Sequence, residues 1–169
     1  MKNSQKHIIS VLVDNEPGVL ARVVGLFSGR GYNIESLSVS EVDSDRFLSR
    51  ITIVTSGTKL IISQIKAQLQ KLIPVHNLFE LNNEKSFIAR ELLLIKVSIS
   101  KITRKKTLDI ANKFNACILS DLNNELIIEM SNTSDEIASF TKALKNFKII
   151  ELTRSGLVSM AIGSDYIKK

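Results

Sequence analysis

The chain has 169 residues, of which 44% are hydrophobic and 24% charged, and its formal net charge is +6. That balance belongs to a globular protein and excludes large-scale disorder; the length suits one ordinary domain or two small ones. The positive charge is spread thinly, which argues against a nucleic-acid or membrane footprint, and its one cluster, at 104–106, opens a predicted helix and reads as a solvated face.

In chain order, a polar start over 1–6 leads into an apolar run that Asp14 breaks. The run is too short for a signal peptide or a membrane span, so the expected location is the cytoplasm. Residues 7–13 predict a strand, and 18–30 a helix in which Leu20, Val23, Val24 and Phe27 recur at helical spacing. Pro17 suits the start of that helix, where its missing N–H costs nothing. Gly18, with no Cβ, lets another molecule come close to the backbone. Gly29 and Gly31 stop the helix. Strands are predicted over 33–42 and 47–55, joined by a hairpin turn at Asp43-Ser44-Asp45. A helix over 59–72 follows, with Ile62, Ile65, Leu69 and Leu72 on one face, and then a strand over 75–81. This β-α-β-β-α-β order is the ferredoxin-like plait, an antiparallel sheet with two helices on one face. The other sheet face would be bare, so something must cover it.

Residues 81–86 are polar between two apolar strands and read as a linker, which divides the chain into 1–82 and 83–169. The order then repeats: strand 88–99, helix 103–114, strands 116–120 and 125–130 joined around Asn123-Asn124. Thr133-Ser134-Asp135-Glu136 predicts a capping box for a helix carrying Ile137, Phe140 and Leu144 on one face, and 148–153 closes the second unit. The fold class is therefore α+β, two tandem ferredoxin-like plaits. The turn at 100–104 lacks the polar-Pro-Gly sequence of the first, so the second plait reads as one that packs on a partner.

Cys117 is the sole cysteine, which rules out an intrachain disulfide; lying in an apolar strand, it reads as a buried, inert thiol. His7 and His76 stand far apart and read as structural or exposed rather than as metal ligands. There is no nucleophile-base pair, no GxSxG, no P-loop and no dinucleotide fingerprint, so no catalytic residue is expected on this chain.

One stretch goes further. Asn15-Glu16-Pro17-Gly18-Val19-Leu20-Ala21-Arg22-Val23, then Gly25-Leu26-Phe27-Ser28-Gly29-Arg30-Gly31-Tyr32-Asn33-Ile34-Glu35-Ser36-Leu37, resembles the ACT domain that opens the small, regulatory subunits of acetolactate (acetohydroxyacid) synthase. The likeness resumes at Leu48-Ser49-Arg50-Ile51-Thr52-Ile53 and, more loosely, at Arg154-Ser155-Gly156. It implies a non-catalytic subunit that homodimerises through its ACT domain, binds a branched-chain amino acid, usually valine, and activates and feedback-regulates a large catalytic subunit. Thiamine diphosphate, magnesium and FAD would belong to that large subunit, leaving no cofactor on this chain. In that family the positions matching Asn15, Gly18 and Asn33 contact the inhibitor.

The residue chemistry suits an α-amino acid. N–H groups at Gly18, Val19 and Leu20, helped by the helix dipole, suit a carboxylate. The amide oxygens of Asn15 and Asn33 can accept from an ammonium. Val19, Leu20 and Ile34 offer apolar surface for a small aliphatic side chain, and Pro17 completes the turn. Asn15 precedes the helix and Asn33 follows it, roughly 20 Å apart, so one ligand needs two chains to touch both. Two departures stand out: Ile162-Gly163 replaces the family's Arg-Gly, and Ser40 stands where the enteric form has alanine. A hydroxyl at a pocket edge leaves selectivity open. Two other readings remain: a stand-alone amino-acid sensor, and an RNA-binding plait, which would need Tyr32 and Phe47 exposed for base stacking.

Overall fold

The computed structural model describes residues 5–81, 86–163 and 167. The chain forms two compact units, Met1–Ile88 together with Leu157–Lys169, and Ala89–Gly156.

The first unit runs β1 (Gln5–Asp14), α1 (Val19–Ser28), β2 (Ser36–Asp43), β3 (Leu48–Gly57), α2 (Lys59–Leu69) and β4 (Val75–Leu81). Its antiparallel sheet has the order β2-β3-β1-β4. In β1, Ile9, Val11 and Val13 alternate onto one face and meet Ile51 and Ile53 of β3. Against that layer α1 packs Val23 and Phe27, and α2 packs Ile62, Ile65 and Leu69, all nearly or fully buried. The spacing read in α2 is the spacing of this core; in α1 the buried face is Val19, Val23 and Phe27, and Leu20, expected to share it, is exposed. A second anchor ties α2 to the sheet: Glu80 on β4 accepts from His7 Nδ1–H at 2.8 Å and from Lys66. Burial raises the Glu80 pKa, but the hydrogen bonds and charges of Lys66 and His7 outweigh it and hold the carboxyl below its ordinary range.

The second unit repeats the plan with β5 (Phe87–Ser98), α3 (Lys101–Lys113), β6 (Cys117–Leu122), β7 (Glu125–Asn132), α4 (Ser134–Ala143) and β8 (Lys148–Arg154). Its order, β6-β7-β5-β8, is that of the first sheet with each strand exchanged for its counterpart. Leu93, Ile95, Val97, Leu126, Ile128 and Met130 meet Ala111 of α3 and Ile137 and Phe140 of α4. Both plaits are therefore present, and the fold is α+β. Thr133 caps α4 through the Glu136 N–H at 3.3 Å, while a reciprocal capping box forms at Ser100 and Thr103 of α3, where none was predicted.

Four features differ from the expectations. The division at 82/83 falls among residues outside those described, and the chain's end does not stay with the second unit: Leu157–Lys169 belongs to the first. The segment holds a short strand the sequence did not reveal, β9 (Val158–Ala161), and its hydrogen bonds to Ser36 and Arg50 tie it to the first unit. Around it, Leu157 N–H donates to Ser36 Oγ at 3.2 Å and the Arg50 guanidinium donates to the Ser159 carbonyl at 3.1 Å. The chain's own end thus covers part of the sheet face that the helices leave bare. Second, Cys117 is exposed rather than buried, because β6 is an edge strand and Cys117 falls on its outward side. Third, the strand predicted from residue 33 begins at Ser36. Fourth, Phe47 is not the first residue of β3 but the last of the hairpin turn, with φ +52°.

Arg154-Ser155-Gly156 acquires a structural meaning. Arg154 ion-pairs with the buried Glu91, which also accepts from Ser134 Oγ at 2.5 Å at the start of α4. Ser155 exchanges two hydrogen bonds with the Leu92 backbone, its N–H donating at 3.0 Å and its Oγ accepting at 3.1 Å. Gly156, at φ +79°, turns the chain out of the second unit, a conformation that favours glycine.

Two measurements check this packing. Phe140→Ala, which opens a cavity in a fully buried site, is expected to cost about 3–5 kcal/mol and to lower the urea midpoint read by circular dichroism. Because the folded-state pKa of Glu80 is depressed, its contribution to stability is present above the unfolded pKa and lost as pH falls through the folded one. Wild type should therefore lose more stability than Glu80→Gln on acidification below about pH 4.3, while exceeding it at pH 7.

Candidate functional site

The turn after β1 is held from two sides. Asp14 N–H donates to the Pro74 carbonyl at 3.0 Å, and its carboxylate accepts from His76 Nε2 at 2.5 Å. Asn15 N–H donates to the Phe47 carbonyl at 2.6 Å. Three residues on, Gly18 caps α1 with φ +85° and ψ −11°, and its side of the turn is open: a Cβ built there would meet nothing within 4 Å. The need for glycine at this position is therefore backbone conformation, and the open space is what a ligand would use. No acidic side chain occupies the first turn of α1, so nothing on the helix itself neutralises its positive end.

The N–H groups divide unequally. Arg22 N–H makes the first helical bond, to Gly18 O at 3.0 Å, and Val19 N–H already donates to Glu16 O at 3.3 Å. Leu20 and Ala21 are left as the first-turn donors with no acceptor inside the helix. The Val19 side chain is only 4% exposed and packs in the core, so it faces away from any ligand over the turn. Leu20, at 40% exposed, stands on the outside together with exposed Asn15 and Pro17.

At the other end of α1, Gly31 (φ +68°) reverses the chain, and Tyr32 packs edge-on against Phe27 with ring centroids 6.3 Å apart. Tyr32 is thus half-buried against the core layer. Asn33 is pinned by its carbonyl, which accepts from Thr55 Oγ1 at 2.7 Å, and its side chain is exposed. Ile34 is half-buried against the core. The predicted residues therefore form two groups: Asn15, Pro17, Gly18 and Leu20 at the start of α1, and Asn33 and Ile34 beyond its end. Ten helical residues, about 15 Å, lie between them. One chain does not bring the groups together.

Sequence reasoning weighed Phe47 only as a base-stacking candidate and missed its place beside the Asn15 turn. The ring is 68% exposed, the backbone sits in the left-handed region that bulky residues avoid, and the carbonyl fixes Asn15. No local signal marks it; Asp43-Ser44-Asp45-Arg46 reads as an ordinary turn, in which Arg46 N–H does donate to Asp43 Oδ1 at 3.2 Å. The sheet edge was equally silent. β2 is an outer strand, its central residues Val39 and Ser40 are exposed, and Ser40 stands opposite Arg50.

Among the described residues, no helix is long and apolar enough to cross a membrane. Comparison with known proteins places both halves of the chain. Residues 9–77 match the profile of the AHAS small subunit-like ACT domain, and residues 90–163 match the profile described as the small subunit of acetolactate synthase. The chain is 44% identical to the acetolactate synthase small subunit of Buchnera aphidicola subsp. Baizongia pistaciae, over 92% of this chain and 98% of that one. It is 38% identical to the acetolactate synthase isozyme 3 small subunit of Salmonella typhimurium, over 96% and 99%. The crystal structure of the small subunit from Thermotoga maritima superposes with a TM-score of 0.87 at 30% identity, over 95% of this chain and 99% of that one. With an ACT domain of this type followed by the subunit's second domain, the chain belongs to the acetolactate synthase small-subunit family.

Proposed function

We propose that the chain is the regulatory partner of a large, thiamine-dependent acetolactate synthase subunit in the cytoplasm, and that it senses a branched-chain amino acid, valine foremost, where two ACT domains meet. The observation that carries this reading is the division of the candidate residues into two groups at opposite ends of α1. A zwitterion whose carboxylate sits on the first-turn N–H groups of one chain needs acceptors for its ammonium, and the second chain's Asn33 supplies one. A two-fold axis makes two such sites at once. The outer position and exposure of β2 support a seam on that side of the sheet.

Amide acceptors suit this ligand better than carboxylates. The zwitterion carries no net charge, and Asn15 and Asn33 bind its ammonium without burying one. Leu20 and Ile34 bound the side chain, which favours a small aliphatic group. Ligand at the seam changes the dimer, and the dimer is what holds the large subunit. Such a coupling is typically about 1–3 kcal/mol, and it requires that valine bind the two states unequally. The second unit, whose first strand-to-helix turn is closed by the Ser100–Thr103 box, is left to pack on the catalytic partner.

Isothermal titration of valine, leucine and isoleucine into the purified protein tests the reading, with valine expected to bind most tightly at two sites per dimer. Asn33→Ala removes a hydrogen bond to a charged group worth about 1.5–3 kcal/mol, so affinity should fall roughly 10- to 100-fold. Inhibition of the reconstituted enzyme should fall in parallel. Absence of any interaction with a thiamine-dependent large subunit would instead favour a stand-alone sensor. Gly18→Ala, strained at φ +85°, should weaken valine binding while leaving the far-UV spectrum unchanged.

A further inference from the structure

Arg50 lies on the face of the first sheet opposite the helices, beside its register partner Leu12. Its guanidinium has five N–H donors. Nε donates to Ser10 Oγ at 2.6 Å and Nη2 to the Ser159 carbonyl at 3.1 Å, both neutral acceptors. Among the described residues no carboxylate pairs with it. The contrast with Arg154, which has the buried Glu91, shows that this chain does supply a counter-charge where an arginine serves only to tie strands. Burial alone shifts the Arg50 pKa, downward. The group stays charged at neutral pH all the same.

Beside Arg50 is a cavity of about 180 Å³, walled by Leu12, Val42, Phe79, Met160, Ala161 and Ile167. A cavity of about 150 Å³ is enough for benzene. Among the described residues the walls are apolar and the one charge is positive, and two of the walls, Met160 and Ala161, come from the returning strand β9.

We propose that this cavity is a second ligand site, separate from the Asn15 and Asn33 turns, and that it takes a small branched aliphatic carboxylate. The carboxylate would sit on the N–H groups of Arg50 that Ser10 and Ser159 leave over, and the aliphatic body against Phe79, Leu12 and Met160. An α-amino acid is rejected here, since its ammonium would face apolar walls and a like charge. The two sites therefore divide amino acids from their deaminated counterparts. Because Ser159, Met160 and Ala161 form one side, an occupied cavity also fastens the chain's end to the sheet.

Methyl-labelled methionine gives a direct reading in the full-length protein, since Met160 lines the cavity and Met130, in the core of the second unit, serves as control. Titration with isobutyrate should move the Met160 methyl resonance saturably and leave Met130 in place; neutral isobutyramide should do neither, and saturating valine should not compete. Arg50→Gln should abolish the effect. Because that change also removes the bonds to Ser10 and Ser159, Ala161→Leu provides the independent variant: it fills the cavity, keeps Arg50, and should abolish binding too. No saturable shift in the wild type, equal shifts with isobutyramide, displacement by valine, or binding that survives Ala161→Leu would each overturn the proposal.

Discussion

The ten-residue helix α1 sets the distance between the two groups of candidate ligand-binding residues. α1 holds the Asn15–Gly18 turn at one end and the Gly31–Ile34 reversal at the other, and its length keeps them about 15 Å apart. Both ends are fixed by hydrogen bonds, the first from the Asn15 N–H to the Phe47 carbonyl and the second from the Thr55 hydroxyl to the Asn33 carbonyl. The helix cannot shorten the gap, because Val23 and Phe27 lock it to the sheet. On the proposed reading each chain carries two half-sites, and sensing would be tied to association rather than added to it. The proposed arrangement would be an economical way to regulate an enzyme from a separate subunit: the ligand would report on how two chains meet, and a surface built from both could pass the report on.

The same sheet does different work on its two faces. Toward the helices it is mostly apolar, with His7, Thr55 and Glu80 among its polar residues, the last of which holds Lys66 of α2. On the other face, Ser10, Arg50 and the returning β9 form a polar clasp among Leu12, Phe79 and Met160. Ser36, which receives the Leu157 N–H, stands two residues beyond Ile34. The Leu157 backbone is thus attached to the strand that leads directly out of the Asn33–Ile34 segment. A shift of β2 upon dimer rearrangement would be felt at that attachment.

Much of this was legible in the residues and some was not. The strand over 75–81 was read with its observed limits, since Pro74 marks its start and alternation its course. Both plaits followed from the order of apolar periods. Pro17-Gly18 announced the helix start because only a few residue types fit there. What failed was what depends on distant contacts. Cys117 looked buried because its neighbours are apolar, but an edge strand shows one face to solvent and the choice of face is set by pairing. Phe47 was placed in a strand by its β propensity, and the turn geometry overrode it. β9 is four residues long, too short for a periodic signal, and its partners lie far back in the chain. Val19 illustrates the same limit within the site: the backbone suits a ligand, while the side chain serves the core.

The central claim, that one site is assembled from two chains, is tested most directly with mixed dimers of Asn15→Ala and Asn33→Ala protomers. If each site takes Asn15 from one chain and Asn33 from the other, a mixed dimer regains one intact site, and titration should recover wild-type valine affinity at half the wild-type stoichiometry. If each chain binds alone, every site in the mixture carries one defect, and no wild-type affinity would return.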